Sequence, residues 1–355
     1  MMNKLYTYCI TFNLIIFSNI AFTENYKIGF GSCLDQDLPQ PIWETVSKDD
    51  IDSFIFLGDN VYGDSADGLL NKMKRSYKTQ KEMLPNWLKD TQLLYIWDDH
   101  DFGVNDGGQE YPLKKEAQAL YLNFWETPKN DNRHKRDGIY FSKIINNNGF
   151  KIKVIGLDTR FFRSTTLDRA NNYKIVDQTK NPTMLGQEQW AWFENEIQED
   201  MDLLILLSSV QVLPRSHQFE KWNLFPKERS KLLALLSNLK TQKIILSGDR
   251  HRAGIYKHDN LIEVTSSSLN KPIADKWYEK AFLNIMPGSI RKKLIDPKEQ
   301  DELQIGDLIS EVNYGLLDID TKNKEISLEI KSIKGAILKK EVLKLLNQSL
   351  VQLVI

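Results

Sequence analysis

Apolar residues fall in short runs of strand length, separated by stretches in which they recur at helical spacing. The runs at 26–32, 52–58, 92–97, 150–157, 202–208, 243–247 and 261–265 predict strands, and the stretches at 40–48, 66–88, 113–126, 186–198 and 226–240 predict helices. Pro226 opens the last helix at a position where its missing N–H has no intrahelical partner to lose. Strands alternating with helices indicate an α/β fold, and the connections are long enough for crossovers between parallel strands. Near the C-terminus Ile326, Leu328 and Ile330 alternate with Ser327, Glu329 and Lys331 after a polar turn at 321–324, which predicts an antiparallel pair. The segment 270–310 carries Pro287, Gly288 and the charged run 291–302 and keeps neither period, so it is expected to be a surface insertion or lid.

The first 23 residues hold Lys4 as their only charge, then an apolar stretch from Cys9 to Phe22 interrupted by Asn13 and Asn19. That stretch is shorter than the roughly 20 residues a membrane span needs and matches a secretory signal peptide cleaved near residues 21–23. The expected mature chain is one domain, 24–346, with a tail at 347–355 and no transmembrane span, secreted or periplasmic and monomeric. Cleavage removes Cys9 and leaves Cys33 as the lone thiol, so an intrachain disulfide is impossible. Lys and Arg total 47 against 48 Asp and Glu among 355 residues, with no basic tract, which argues against an obligate nucleic-acid partner.

Chemistry clusters at the residues that follow each strand: Cys33, then Asp59 and Tyr62, then Asp98, Asp99, His100 and Asp101, then Asp158 and Arg160, then Asp249 and His251. In open α/β sheets the carboxyl ends of strands converge on one crevice, so groups this distant in sequence can meet. Carboxylates, a thiol, a phenol and imidazoles brought together would repel or lie unsatisfied unless cations neutralise them. The serine-hydrolase elbow, the nucleotide phosphate loop, the zinc-protease helix, paired Cys-x-x-Cys motifs and a full dinucleotide glycine motif are all absent.

Taken in order, Gly31-Ser32-Cys33, Gly58-Asp59-Asn60-Val61-Tyr62, Trp97-Asp98-Asp99-His100-Asp101, Leu157-Asp158-Thr159-Arg160 and Ser247-Gly248-Asp249-Arg250-His251 resemble the alkaline phosphatase D (PhoD-like) branch of the calcineurin-like metallophosphoesterases. The resemblance runs from about residue 26 to 268 and includes 184–190. It implies a four-layer αββα sandwich with mixed sheets, and metal-activated hydroxide attacking phosphate mono- or diesters. It also implies that Cys33, Asp59, Tyr62 and His251 hold one metal and that Asp59 bridges to a second, held also by Asp99 and Asp249. Thiolate, phenolate and imidazole suit Fe³⁺ or Zn²⁺, and the carboxylate-rich neighbour suits Ca²⁺, Mg²⁺ or Mn²⁺; the resemblance favours iron with calcium.

His100 is expected to hydrogen-bond the phosphoryl oxygen or protonate the leaving oxygen, unless it is a ligand or a strand-end histidine. Arg160 either grips the phosphate with its planar fork or pairs with Asp158 or another acid. Against the wider superfamily three positions differ. Cys33 replaces the usual first Asp-x-His pair, Tyr62 stands where a carboxylate usually orients the catalytic histidine, and the final motif reads Gly248-Asp249-Arg250-His251. At 208–211 the usual histidine ligand is missing, which leaves Gln211 as a weak substitute; His217 is read as a surface residue, and Asn105 and Asp106 as turn chemistry. Trp190, Trp192 and Phe193 are read as core packing. The readings that compete with an exported phosphoesterase are a secreted metal- or phosphate-binding protein of the same fold without turnover, and a phospholipid-directed esterase.

Overall fold

The computed structural model describes residues 25–168, 172–273 and 301–345. The expected signal peptide and C-terminal tail, and the middle of the expected insertion at 274–300, lie outside these described residues. Among the described residues thirteen strands form two mixed sheets. The first joins β1 (Asn25–Gly31), β2 (Ser53–Leu57) and β3 (Gln92–Ile96) in parallel and continues antiparallel from β1 through β11 (Asn313–Asp320), β12 (Glu325–Ser332) and β13 (Ile337–Lys344). The second has a parallel centre of β5 (Phe150–Gly156), β6 (Leu203–Ser208), β7 (Gln242–Ser247) and β9 (Leu261–Thr265). Its antiparallel flanks are β4 (Phe141–Asn147) beside β5, and β8 (Ala253–His258) with β10 (Gln304–Ile309) beyond β9.

Alternation along the strands sorts the side chains into layers. Leu203, Ile205 and Leu207 face the core shared with Phe30, Leu57 and Leu317 of the first sheet, whereas Leu204 and Leu206 face α5 (Gly186–Glu196) and α6 (Pro226–Asn238) through Phe193, Leu232 and Leu236. The outer face of the first sheet is aromatic. Phe54 and Phe56 meet Trp43 of α1 (Ile42–Val46) at ring separations of 5.2 and 5.9 Å, and Phe56 meets Trp125, which follows α4 (Lys114–Phe124), at 4.7 Å. Tyr77 of α2 (Asn71–Met83) stacks on Phe124 nearby. Helices thus cover the outside of both sheets, and Trp190 and Phe193 are core residues.

Every predicted strand and helix is present, with ends moved by a few residues. The part of the expected insertion at 304–309 is instead β10, paired with β8 at the edge of the second sheet. Its charged and half-exposed residues mask the strand because an edge position buries little of either face.

The carboxyl ends of both sheets are stitched together by backbone. Ser32 N–H donates to the Ser266 carbonyl (3.1 Å), Leu269 N–H to the Ser32 carbonyl (3.0 Å) and Gly248 N–H to the Ser209 carbonyl (3.0 Å). Gly248 permits this approach: a Cβ there would sit 2.6 Å from Ser32 Oγ and 2.9 Å from the Leu57 carbonyl oxygen. Gly248→Ala is therefore expected to destabilise the fold by about 1–3 kcal/mol through overpacking, read as a lowered denaturant midpoint with unchanged m-value.

Candidate metal centre

Five strand ends deliver the polar side chains to one place. Cys33 follows β1, Asp59 follows β2, Asp98 and Asp99 follow β3, and Asp249 and His251 follow β7; Ser267, after β9, reaches the same spot. Three sets of side chains each offer one ligand atom within 4.8 Å of all the others in the set: Cys33, Asp59 and His251; Asp59, Asp99 and His100; and Asp59, Asp98, Asp99 and Asp249. Asp59 belongs to all three. Tyr62 joins the first set, its hydroxyl 3.5 Å from Asp59 Oδ2 and 3.4 Å from His251 Nε2.

The backbone is bent to make this possible. Cys33, Asp59, Asp249 and His251 all take positive φ, between 49° and 62°, a region that costs a side-chain-bearing residue energy and persists only where surroundings enforce it. At Gly58, φ is 103° and a Cβ would approach Asp98 Cβ to 2.7 Å, so only glycine lets the turn pass Asp98.

Hydrogen bonding prepares several of these atoms as ligands. Ser267 Oγ accepts from the N–H groups of Arg250 (2.7 Å) and His251 (2.9 Å), so its own proton is left to donate to Cys33 Sγ at 3.2 Å, which favours the thiolate. His251 Nδ1 lies 2.6 Å from the Lys271 carbonyl; donating there fixes the tautomer and leaves Nε2 as the electron-pair donor. Burial, the largest cause, takes the His251 pKa down to about 4 and keeps the ring neutral.

Without a cation the cluster cannot carry its charge. Burial, followed by repulsion from Asp59, pushes the Cys33 thiol well up. Burial likewise raises Asp59 despite nearby His100, and raises Asp249, which also feels Asp98 and Asp99. Asp99 moves the other way: burial opposes its charge, but His100 and Arg160 hold it below the usual carboxylate range. Asp59 Oδ1 and Asp98 Oδ2 are buried with no hydrogen-bond partner. Orphaned carboxylate oxygens are expensive, and they fit a cluster that could take up metal ions.

His100 is pushed up to about 10, since Asp99, Asp59 and Asp64 outweigh the burial that would lower it, and burial lifts Asp101 to about 8. Both folded values exceed the unfolded ones of 6.5 and 3.8, so the stability from His100 is full below pH 6.5 and gone above about 10, while that from Asp101 is lost between 3.8 and about 8. His251, lowered to about 4, works the other way only below pH 6.5, so metal-free protein is expected to lose stability as pH rises from about 6.5 to about 10, measured as thermal midpoints in chelator. Divalent metal, by neutralising the carboxylates, is expected to flatten the dependence.

Arg160 is placed differently from the phosphate-gripping expectation. Its side chain has no exposed surface: Nε pairs with Asp98, Nη1 lies 2.6 Å from Glu220 Oε2, and Nη2 lies 3.8 Å from Asp99 Oδ1. A buried guanidinium needs acids around it, and these hold it under the site rather than open to substrate. Asp158 is not its side-chain partner; that carboxylate accepts from Trp97 Nε1 and the N–H groups of Ile139, Arg160 and Phe161, and so shapes the loop. His217 is also corrected, being buried rather than at the surface. Gln211 is buried with Nε2 on Thr265 Oγ1 and belongs to none of the three ligand sets.

Four participants were not singled out in advance for the part they play. Asp98 extends the carboxylate set, Glu220 pairs with both Arg160 and Arg163, Asp64 meets His100, and the Asp106 N–H donates to Asp99 Oδ2 at 2.8 Å. Asp98 and Asp106 lie in the motif region; Glu220 and Asp64 carry no local signal, since their partners are brought to them only by the fold.

A family model for PhoD-like phosphatases matches residues 71–326. The chain belongs to the PhoD-like phosphatase family. The matched span contains Asp99, His100, Arg160, Asp249 and His251, whereas Cys33, Asp59 and Tyr62 precede it. Among solved structures, one described as the structure of PhoD superposes with a TM-score of 0.63 at 14% identity, over 90% of this chain and 70% of that one. GAP50, described as the anchor in the inner membrane complex of Plasmodium, superposes with a TM-score of 0.58 at 11% identity, over 91% of this chain and 90% of its own. At such identities these likenesses speak for the fold alone, two mixed sheets with helices outside them. No curated protein matches the chain in sequence. Family membership and the ligand clusters together mark a metal-dependent phosphoesterase.

Proposed function

We propose that this PhoD-like phosphoesterase hydrolyses phosphate mono- or diesters outside the cytoplasm. The observation that carries the reading is Asp59, one buried carboxylate shared by a thiol–imidazole set and a carboxylate set. Cys33, Tyr62, Asp59 and His251 would hold a transition metal, with Fe³⁺ favoured and Zn²⁺ the competitor. Asp59, Asp98, Asp99 and Asp249 would hold Ca²⁺, Mg²⁺ or Mn²⁺. Such ions supply a water of lowered pKa and a clamp on the phosphoryl oxygens. The chain's own part is to fix the ligands from both sheets, to keep His251 neutral, and to present His100 where a leaving oxygen needs a proton. A lone thiol in an exported chain is explained if Cys33 is a ligand, because the bound metal occupies the sulfur.

Protein loaded with iron and calcium is expected to release p-nitrophenol from bis-p-nitrophenyl phosphate and from p-nitrophenyl phosphate. Elemental analysis of the chain as purified tests the metals. A second reading, binding without turnover, is favoured by one observation: the Arg160 guanidinium is closed over by acids. Stoichiometric metal uptake with no release from either ester, across iron, zinc, manganese, magnesium and calcium, would support that reading. Among the described residues no helix is long and apolar enough to cross a membrane. Export is tested by fractionating cells that express the full chain.

A further inference from the structure

The superfamily likeness leaves His100 without a partner, because Tyr62 stands where the orienting carboxylate is usual. The structure supplies one from two residues downstream. His100 Nδ1 lies 2.6 Å from Asp64 Oδ1, and the two side chains keep 17% and 20% of their surface exposed, so the pair sits at the mouth of the site rather than beneath it. The Tyr62 ring lies 4.2 Å from the imidazole, and the His100 N–H donates to Asp99 Oδ1 at 3.0 Å. Among the described residues Nε2 receives no hydrogen bond, while one ring nitrogen lies within 4.8 Å of Asp59 and Asp99 ligand atoms.

The loop that carries Asp64 is built to hold it there. Gly63 N–H donates to the His100 carbonyl at 3.2 Å, and a Cβ on Gly63 would come within 2.9 Å of Met73 Cα in α2. Lys72 Nζ, also in α2, donates to the Asp64 carbonyl at 2.9 Å. The loop is therefore pinned to a helix on one side and to His100 on the other.

We infer that Asp64 is the positioning residue for His100, accepting the Nδ1–H of the protonated ring and aiming its Nε2–H at the leaving oxygen of the ester. The inference rests on the phosphoesterase reading. As the bond from phosphorus to the leaving oxygen breaks, the bonding pair stays on that oxygen, which takes a proton from Nε2. The oxygen of the attacking water forms the new bond to phosphorus, and the water's proton returns the imidazole to its starting state through solvent. Asp64 gives up no proton; it orients the ring and stabilises it while charged.

Leaving-group chemistry tests this role. With phenyl phosphate, whose leaving oxygen needs a proton, Asp64→Ala is expected to lower kcat by roughly 10²-fold, and with p-nitrophenyl phosphate by about threefold or less, with KM little changed. In a His100→Ala background Asp64→Ala should add nothing, and Asp64→Asn should fall between wild type and Asp64→Ala. Equal losses for both esters, or additive losses in the double variant, overturn the inference. A second arm needs no turnover. In NMR of metal-free protein with labelled histidine, the resonance lost in His100→Ala should move in Asp64→Ala more than those of the other four histidines. An unmoved resonance overturns the pairing. Wild-type protein inactive on every ester would instead overturn the phosphoesterase reading, with the NMR arm still deciding the contact.

Discussion

Asp59→Asn is expected to abolish ester hydrolysis and to strip metal from the protein in the same step. The substitution keeps the size of the side chain but removes the negative charge, so every set that shares this residue loses its common donor. Losing a ligand that served one ion alone would leave a neighbouring ion in place. Here elemental analysis should show both metals reduced, and activity should fall by at least the roughly 10³-fold expected from removing a principal electrostatic stabiliser. Full metal content with full activity would refute the bridging role. Compared without metal, the variant should fold at least as well as the wild type, because burial raises the energetic cost of the Asp59 charge.

Arg160→Met is expected to act in the opposite place, on stability. The guanidinium neutralises Asp98 and Glu220 where both are buried, and without it Glu220 would keep Arg163 as an ion-pair partner and the Thr166 hydroxyl as a donor at 3.3 Å. Removing one partner from a buried charge network typically costs about 3–5 kcal/mol, and the denaturant midpoint should fall accordingly. A residue that only gripped substrate would raise KM and leave the midpoint unmoved, so the two measurements separate the roles.

The fold was legible where burial on both faces produces unbroken apolar runs. β2, β6 and β7 are nearly all buried, and their sequences announce them. β4 and β10 are edge strands with half-exposed, mixed residues, and β8 follows directly on the site motif; their patterns fade into loop chemistry. That these candidate ligand residues meet was legible for a related reason, since each lies after a strand that ends at the same rim. Partners across the rim were not. Arg160 looked equally able to face a phosphate or an acid, and only the packing of Glu220 beside it separates these. His217 looked like a surface residue because its neighbours in sequence are polar, yet the fold buries it against Phe219.

Cys33 hangs from the first sheet and His251 from the second, and both reach Asp59. An ion seated there would act as a clasp across the two halves of the sandwich, so that prising the sheets apart would require letting the ion go. Occupancy then becomes a folding variable as well as a chemical one: free metal at about 100 times its dissociation constant adds roughly 2.7 kcal/mol to the native state. A compartment poor in such ions would hold a looser, more easily degraded form of the same chain, and the supply of metal would govern how long the molecule lasts.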